Sequence, residues 1–367
     1  MSAREGLVVR RIAVSYGRNH LLRGIDFAIA PGETLVLFGP SGTGKTVLLR
    51  AIAGLEPAAR GEVWIDGRDV SALGPEARAT GMAFQNFALY PHMSARENIR
   101  SPLAARRLGK AEAERRITKI AELLRIQHVL DHAPRELSNG QKQRTALARA
   151  LVGEPRVLLL DDPLRNVDAK LRYEMRLELP RLLRAVGAAT IYVTQDYREA
   201  MALGDRVAIL LDGVIRQIDT PEAIYDRPAT IAIARLFGDP PINLFPLRPQ
   251  VGAGGAGIEI GGLALPMAED EGGEGRVLGL RPETITLHRE GLAGAVRATL
   301  IAITPLHERV VLLLRLASGE EMVASVTGAP PEPGSDVWIT ADGARALLFD
   351  AASGMRIAAG PVREMVA

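Results

Sequence analysis

The stretch TLVLFGPSGTGKT, Thr34 to Thr46, runs from an apolar segment through a glycine-rich loop into an amphipathic pattern at Val47, Leu48 and Ile52. It fits G-x-x-x-x-G-K-[ST], a spacing with a physical purpose. Gly39, Gly42 and Gly44 free the backbone to turn successive N–H groups inward on a phosphate, and Pro40, Ser41 and Thr43 complete the loop. Lys45 can then reach the outer phosphates of a nucleotide, and the Thr46 hydroxyl is a hard oxygen of the kind Mg²⁺ takes. A glycine turn that bound nothing would leave Lys45 at the mouth of an apolar strand without a role.

The complementary piece is an apolar strand that ends in an acid. VLLLD, Val157 to Asp161, supplies it, and Asp161 is the candidate metal carboxylate. Asp162 follows directly, at the place where a general base would polarise an attacking water. A second phosphate surface is written in LSNGQKQRTALARAL, Leu137 to Leu151, where a serine and small residues open a basic helix. One bound nucleotide does not need two such surfaces. The economical expectation is a dimer in which Ser138, Asn139, Gly140 and Gln141 of one subunit close over the nucleotide held by the glycine loop of the other.

These residues require a scaffold of strands and helices in alternation. Short apolar or β-branched runs predict strands at Leu7–Val9, Thr34–Phe38, Met82–Phe84, Val157–Leu160, Thr190–Val193 and Val207–Leu211, the pattern of an α/β domain with a largely parallel sheet over residues 1–237. A helical subdomain is inserted at about 88–150, where Ile117, Ile120 and Leu124 repeat with helical period opposite charged residues. Phe237 to Pro249 is dense in proline and marks a boundary. Residues 238–367 follow, with short alternating runs at Ile258–Ile260, Ala295–Ile303, Val310–Leu316, Val337–Thr340 and Ala346–Phe349 that predict a small all-β barrel. Val251–Gly257 and Ala268–Gly275 read as loops.

Composition closes off several alternatives. A chain of 367 residues, 47% hydrophobic, is long enough for two cores. Lys and Arg number 45 against 43 Asp and Glu, a net +2, which argues against nucleic acid as the main partner. Without cysteine there are no disulfides or thiolate metal sites. Met1 leads into a polar stretch without a signal-peptide core, and the apolar runs are strand-sized, so no direct membrane span is expected. His128 and His132 lie four apart but lack a third ligand, and AARRLGK, Ala104 to Lys110, reads as a solvated helix face.

Taken together, the motifs resemble the ATP-binding subunits of ABC transporters, whose signature is usually L-S-G-G-Q. The similarity extends through most of the chain. LGLRPETITL, Leu278 to Leu287, and ALLFDAASGMRI, Ala346 to Ile357, resemble the accessory barrel of the sugar-importer ATPases related to the maltose system. TPEAIYDRPATIAIARLFGDPPINLFP, Thr220 to Pro246, is similar to that family's bridge between domains. The resemblance implies a P-loop ABC cassette followed by an OB-like barrel, with ATP and Mg²⁺ as cofactors. It also implies that Tyr16 stacks on adenine, that Gln85 senses the γ-phosphate and joins Thr46 and Asp161 around the metal, and that Asp168 communicates across the dimer. The implied partners are two integral membrane permease subunits, docking near Tyr90 to Asn98, and a solute-binding protein that acts indirectly. The implied place is the cytoplasmic face of the inner membrane. The implied task is import of sugars, polyols or glycerol-type solutes, with the solute itself read by other subunits.

Two positions depart from that pattern within one half-site. The family usually has Glu at Asp162 and His at Gln195. The shorter acid withdraws its carboxylate by about one methylene, and a misplacement of order 1 Å can cost roughly a hundredfold in rate. Gln195 cannot become a cation, and losing one electrostatic contact to developing charge costs about 2.7–4 kcal/mol. ATP binding with slow cleavage is the expectation.

The complementary half keeps Ser138, Gly140, Gln141 and Asp168. Asn139 takes a glycine seat that it can fill through left-handed backbone angles, and Arg165 stands where a small polar residue is usual. The chain is therefore expected to be the hydrolysis-impaired member of a heterodimer, its signature loop completing the site of a non-identical ATP-binding subunit. The alternatives are a slow homodimer, a soluble factor acting on nucleic acid or ribosomes, and a regulator without useful hydrolysis. Soluble factors of that kind carry two cassettes or a long coiled coil, and neither is present.

Overall fold

The computed structural model describes residues 6–106, 108–247, 257–260, 263–266, 275–292, 294–306 and 309–357. The stretches expected as loops at Val251–Gly257 and Ala268–Gly275 fall almost wholly outside them, as does Arg107 of the basic cluster. The chain divides into two compact units, Met1–Pro221 and Glu222–Ala367.

The first unit begins with β1 (Leu7–Tyr16), β2 (Asn19–Ile29), β3 (Thr34–Phe38), α1 (Lys45–Ala53), β4 (Ala59–Ile65), β5 (Arg68–Asp69) and β6 (Thr80–Ala83). Then come α2 (Ala95–Arg100), α3 (Lys110–Leu123), α4 (Asn139–Leu151), β7 (Val157–Asp161), α5 (Ala169–Val186), β8 (Ala189–Thr194), α6 (Tyr197–Leu203), β9 (Arg206–Leu211) and β10 (Val214–Asp219). One sheet has the order β10-β9-β3-β8-β7-β6, parallel except for β10. The other, β2-β1-β4-β5, is antiparallel. β3, β7 and β8 are buried at every residue, which explains their unbroken apolar spelling.

One core joins the sheets through α1. Leu48, Leu49 and Ile52 are fully buried and share a cluster with Ile25, Leu35, Leu37, Val63, Leu159 and Val193. Burying each such side chain contributes about 1.5–3 kcal/mol, so the helix that begins with Lys45 and Thr46 is fixed along its length. In the helical part, Ile117, Ile120 and Leu124 are all buried, the positions that the helical period singles out. His128 lies in a 3-10 turn, Gln127–Val129, which removes the α-helical spacing to His132. No helix among the described residues is long and apolar enough to cross a membrane.

The second unit contains α7 (Pro221–Asp226), whose first residue closes the first unit, and α8 (Ile231–Leu236). The strands are β11 (Asn243–Pro246), β12 (Gly257–Ile260), β13 (Leu263–Pro266), β14 (Arg276–Leu280), β15 (Ile285–His288) and β16 (Val296–Leu306). β17 (Arg309–Leu316), β18 (Glu321–Val326), β19 (Asp336–Ala341), β20 (Leu347–Asp350) and β21 (Arg356–Ile357) complete it. They form antiparallel sheets in the orders β11-β14-β20-β21 and β15-β19-β16-β17-β18, which share a core at Leu280, Leu300, Leu312, Met322 and Ile339, and a separate pair β12-β13.

The division at 221 falls ahead of the proline-dense stretch at 237–249, and packing gives the reason. Ala234 of α8 shares a cluster with Ile242, Leu347 and Phe349. Arg281, buried, donates to the carbonyls of Tyr225, Ala234 and Phe237 and lies 3.7 Å from the centre of the Tyr225 ring. Residues 222–237 are thereby stapled to the strands of the second unit.

Candidate nucleotide site

β3 lies between β8 and β9, so the loop that leaves it rises from the middle of the sheet. Gly39 is forced by that position: a Cβ there would stand 2.4 Å from the Leu210 carbonyl oxygen of β9. Gly44 caps α1 at φ 99°, with no side-chain cap and no acid in the first turn. The helix therefore keeps its positive end open toward the loop.

Lys45 is buried, and its Nζ donates to the carbonyl oxygens of Gly39 and Pro40, both at 2.7 Å. The ammonium is folded back on the loop that it would share with a phosphate. Burial holds it below the ordinary lysine range and Arg165 adds to the drop, while Asp162 and Asp161 oppose it. Thr46 Oγ1 donates to Asp161 Oδ1 at 2.9 Å, across 115 residues of sequence. Burial raises the Asp161 carboxyl, and the Thr46 bond, Arg50 and Lys45 act against it. A hydroxyl and a carboxylate meeting beside an uncapped helix end form the hard-oxygen donor pair that suits Mg²⁺, so the residues present fit a nucleotide with its metal.

Asp162 has φ 45° and is pinned by its own N–H, which donates to the Val193 carbonyl at 3.1 Å. Its carboxylate lies 3.8 Å from Arg165 Nη1. Burial raises it, Arg165 opposes, and Asp161 pushes in the same direction as burial. Gln195, just past β8, is exposed. The turn that holds it is tied from below. Glu199 of α6, 2% exposed, accepts from Tyr192 Oη and Thr194 Oγ1, both at 2.9 Å, and Thr194 Oγ1 accepts from the Asp196 N–H.

The other expected residues are distributed around this centre. Tyr16, exposed at the end of β1, donates through its hydroxyl to Glu56 at 2.7 Å. Among the described residues, no hydrogen bond joins the Gln85 side chain to Thr46 or Asp161. The backbone carbonyl of Gln85 accepts from Asn166 Nδ2 at 2.9 Å. Ser138 caps α4 in a reciprocal pair with Gln141: Ser138 Oγ accepts from the Gln141 N–H, and Gln141 Oε1 accepts from the Ser138 N–H. Asn139 opens α4 and is not among the residues with positive φ. This corrects the reason for its tolerance: the seat is right-handed helix, so no left-handed angle is required. Asp168 caps α5 by accepting from the Leu171 N–H at 3.0 Å.

Several contributors escape sequence reasoning. Arg149, in the last turn of α4, donates to the carbonyls of Ala88 and Phe87 at 2.6 and 3.1 Å. Phe87 and Ala88 both have positive φ, and Arg149 holds them in it. Buried Asn98 accepts from the Tyr90 N–H and donates to the carbonyls of Tyr90, Met93 and Ser94. Asn98 and Asn166 offered no more than a side-chain amide within MSARENIR and PLRNVD, and Arg149 offered nothing local. A cleft of about 1470 Å³ lined by Arg116, Lys119, Leu151 and Pro155 contains none of these groups, so chemistry and not volume locates the site.

Comparison with known proteins agrees with the fold. A family model described as ABC transporter matches residues 22–165, and one described as TOBE domain matches 278–349. The sn-glycerol-3-phosphate import ATP-binding protein UgpC of Cereibacter sphaeroides is 44% identical over 351 residues, covering 95% of this chain and 99% of that protein. The protein of that name from Salmonella typhimurium is 40% identical over 357 residues, covering 96% and 99%. Two dimeric structures of MJ0796, a bacterial ABC transporter cassette, one of them a post-hydrolysis state bound to ADP and Pi, each superpose with a TM-score of 0.53 at 29% identity. Each covers 59% of this chain and 98% of the cassette.

Proposed function

We propose a function from one premise, that this chain belongs to the ABC transporter family as one of its ATP-binding subunits. It powers an importer, and end-to-end similarity to proteins named for sn-glycerol-3-phosphate import supports a solute of the glycerol-phosphate, sugar or polyol kind. The observation that carries the reading is the 2.9 Å bond between Thr46 and Asp161 beside the buried Lys45, on a helix locked into the core. Two permease subunits would receive the work, and a solute-binding protein would deliver the solute to them. The chain would lie peripherally on the cytoplasmic face of the inner membrane.

Within the site, each residue has a separate duty. Lys45 and the loop amides bind the outer phosphates; Thr46 and Asp161 hold Mg²⁺. ATP with its metal supplies the scissile phosphoanhydride and most of the charge neutralisation. Asp162 accepts a hydrogen bond from the water and orients it, and Gln195 offers a neutral donor.

A carboxylate one methylene short and an amide without charge support strong binding with slow cleavage. A non-identical ATP-binding subunit with Glu and His in those places, completed by Ser138 to Gln141 of this chain, would then carry most of the turnover. The experiment is ATPase activity of the purified chain against Asp162→Glu combined with Gln195→His. The expected result is near-background activity that the double substitution raises by roughly a hundredfold or more. Full activity in the unaltered chain would identify a working homodimer instead.

A further inference from the structure

Arg165 lies in the loop between β7 and α5, three residues after Asp162. Its backbone is held at both ends: its N–H donates to the Asp162 carbonyl at 3.3 Å, and its own carbonyl accepts from Arg172 Nη2 at 3.3 Å. The side chain is held more loosely. It is half exposed and faces the Asp162 carboxylate at 3.8 Å, an ion pair too long for a good hydrogen bond. A firm base with a loosely engaged, permanently charged tip is the form of a group that can change partners.

Charge balance points the same way. The end of the loop that receives the outermost phosphate contains Lys45, Asp161 and Asp162, one positive charge against two negative. Gln195 adds none. Lys45 is the one cation among these three, and the Mg²⁺ that Thr46 and Asp161 would hold arrives with the nucleotide that it neutralises, so the side chains by themselves are net negative toward a polyanion. Arg165 restores the balance, and its field is felt at Lys45 as well as at Asp162.

We propose that Arg165 is a reader of the terminal phosphate: it supplies a cation beyond Lys45, loosely paired with Asp162 and available to the γ-phosphate of ATP. This rests on the reading of the loop as an ATP site and deepens it. The phosphates that ATP and ADP share would be served by the loop amides and Lys45 in both, so Arg165 would matter for ATP and hardly for ADP.

The test is equilibrium binding of ATP and of ADP, each with Mg²⁺, to the full chain and to Arg165→Ser and Arg165→Lys. Melting temperatures serve as a check on folding. Arg165→Ser is expected to weaken ATP binding by roughly fivefold, the scale of one half-exposed charge pair, and to leave ADP within about twofold. Arg165→Lys, which keeps the charge, should retain most of the ATP preference. An ATP-to-ADP preference unchanged by Arg165→Ser, whether because neither affinity moves or because both fall together, would refute the assignment, as would a lysine variant no better than serine. If the unaltered chain bound neither nucleotide, the ATP-site reading would fail and Arg165 would fail with it. If it bound both and Arg165→Ser changed nothing, the role of Arg165 alone would be lost.

Discussion

Glu199 shows what a single buried carboxylate can fix. It accepts two hydroxyl hydrogen bonds, and through Thr194 it sets the turn that presents Gln195. Truncation to alanine would leave two buried hydroxyls without their acceptor, so Glu199→Ala should cost about 1–3 kcal/mol in urea unfolding. Glu199→Gln preserves an acceptor oxygen and should cost much less. The pH dependence has a definite sign. Burial raises the Glu199 carboxyl, so the folded chain keeps this proton to higher pH than the unfolded chain, and stability falls as pH rises between the two values. Glu199→Gln should remove that part of the slope, and an unchanged slope would assign it elsewhere. Nothing near Glu199 in sequence announces any of this. Lys45, Thr46 and Asp161 were legible because phosphate and metal chemistry demand fixed residue types at fixed spacing. Glu199 answers only to its neighbours in space.

Among the elements, α4 and β6 meet through a glycine. A Cβ on Gly81 would stand 2.2 Å from the Ala150 carbonyl, which is backbone and cannot swing aside. Gly81→Ala should therefore destabilise the first unit by about 1–3 kcal/mol and shift the last turn of α4. A melting temperature equal to that of the unaltered chain would show that the two elements have more room than the structure gives them. Among the strands that sequence missed, β2 and β4 carry Arg23, Asp26, Arg60 and Glu62 on their outer faces, which break the apolar runs, and β10 carries Arg216 and Asp219 to the same effect. β3, β7 and β8 were legible because both of their faces are covered. Helix periodicity found Ile117, Ile120 and Leu124 but could not find Arg149, whose partners lie 61 and 62 residues away.

For the whole molecule, the order of the two units was legible from the change in spacing of apolar runs and from the prolines after Phe237. The place of α7 and α8 was not, because it depends on Arg281 and Phe349, far along the chain. Purification of the native complex through a tag on this chain should recover integral membrane proteins and a second, non-identical ATP-binding subunit. Two tagged copies with no other ATPase would favour the homodimer. The helix α4 gives such an assembly a mechanical property. Its thirteen residues make a rod of about 20 Å, with Ser138 at one tip and, at the other, the Arg149 guanidinium gripping the carbonyls of Phe87 and Ala88. Thirteen hydrogen-bonded residues resist compression along their axis, so a displacement imposed by a neighbouring subunit at the serine end would be felt two residues beyond Gln85, as a push on a connecting rod is felt at the crank.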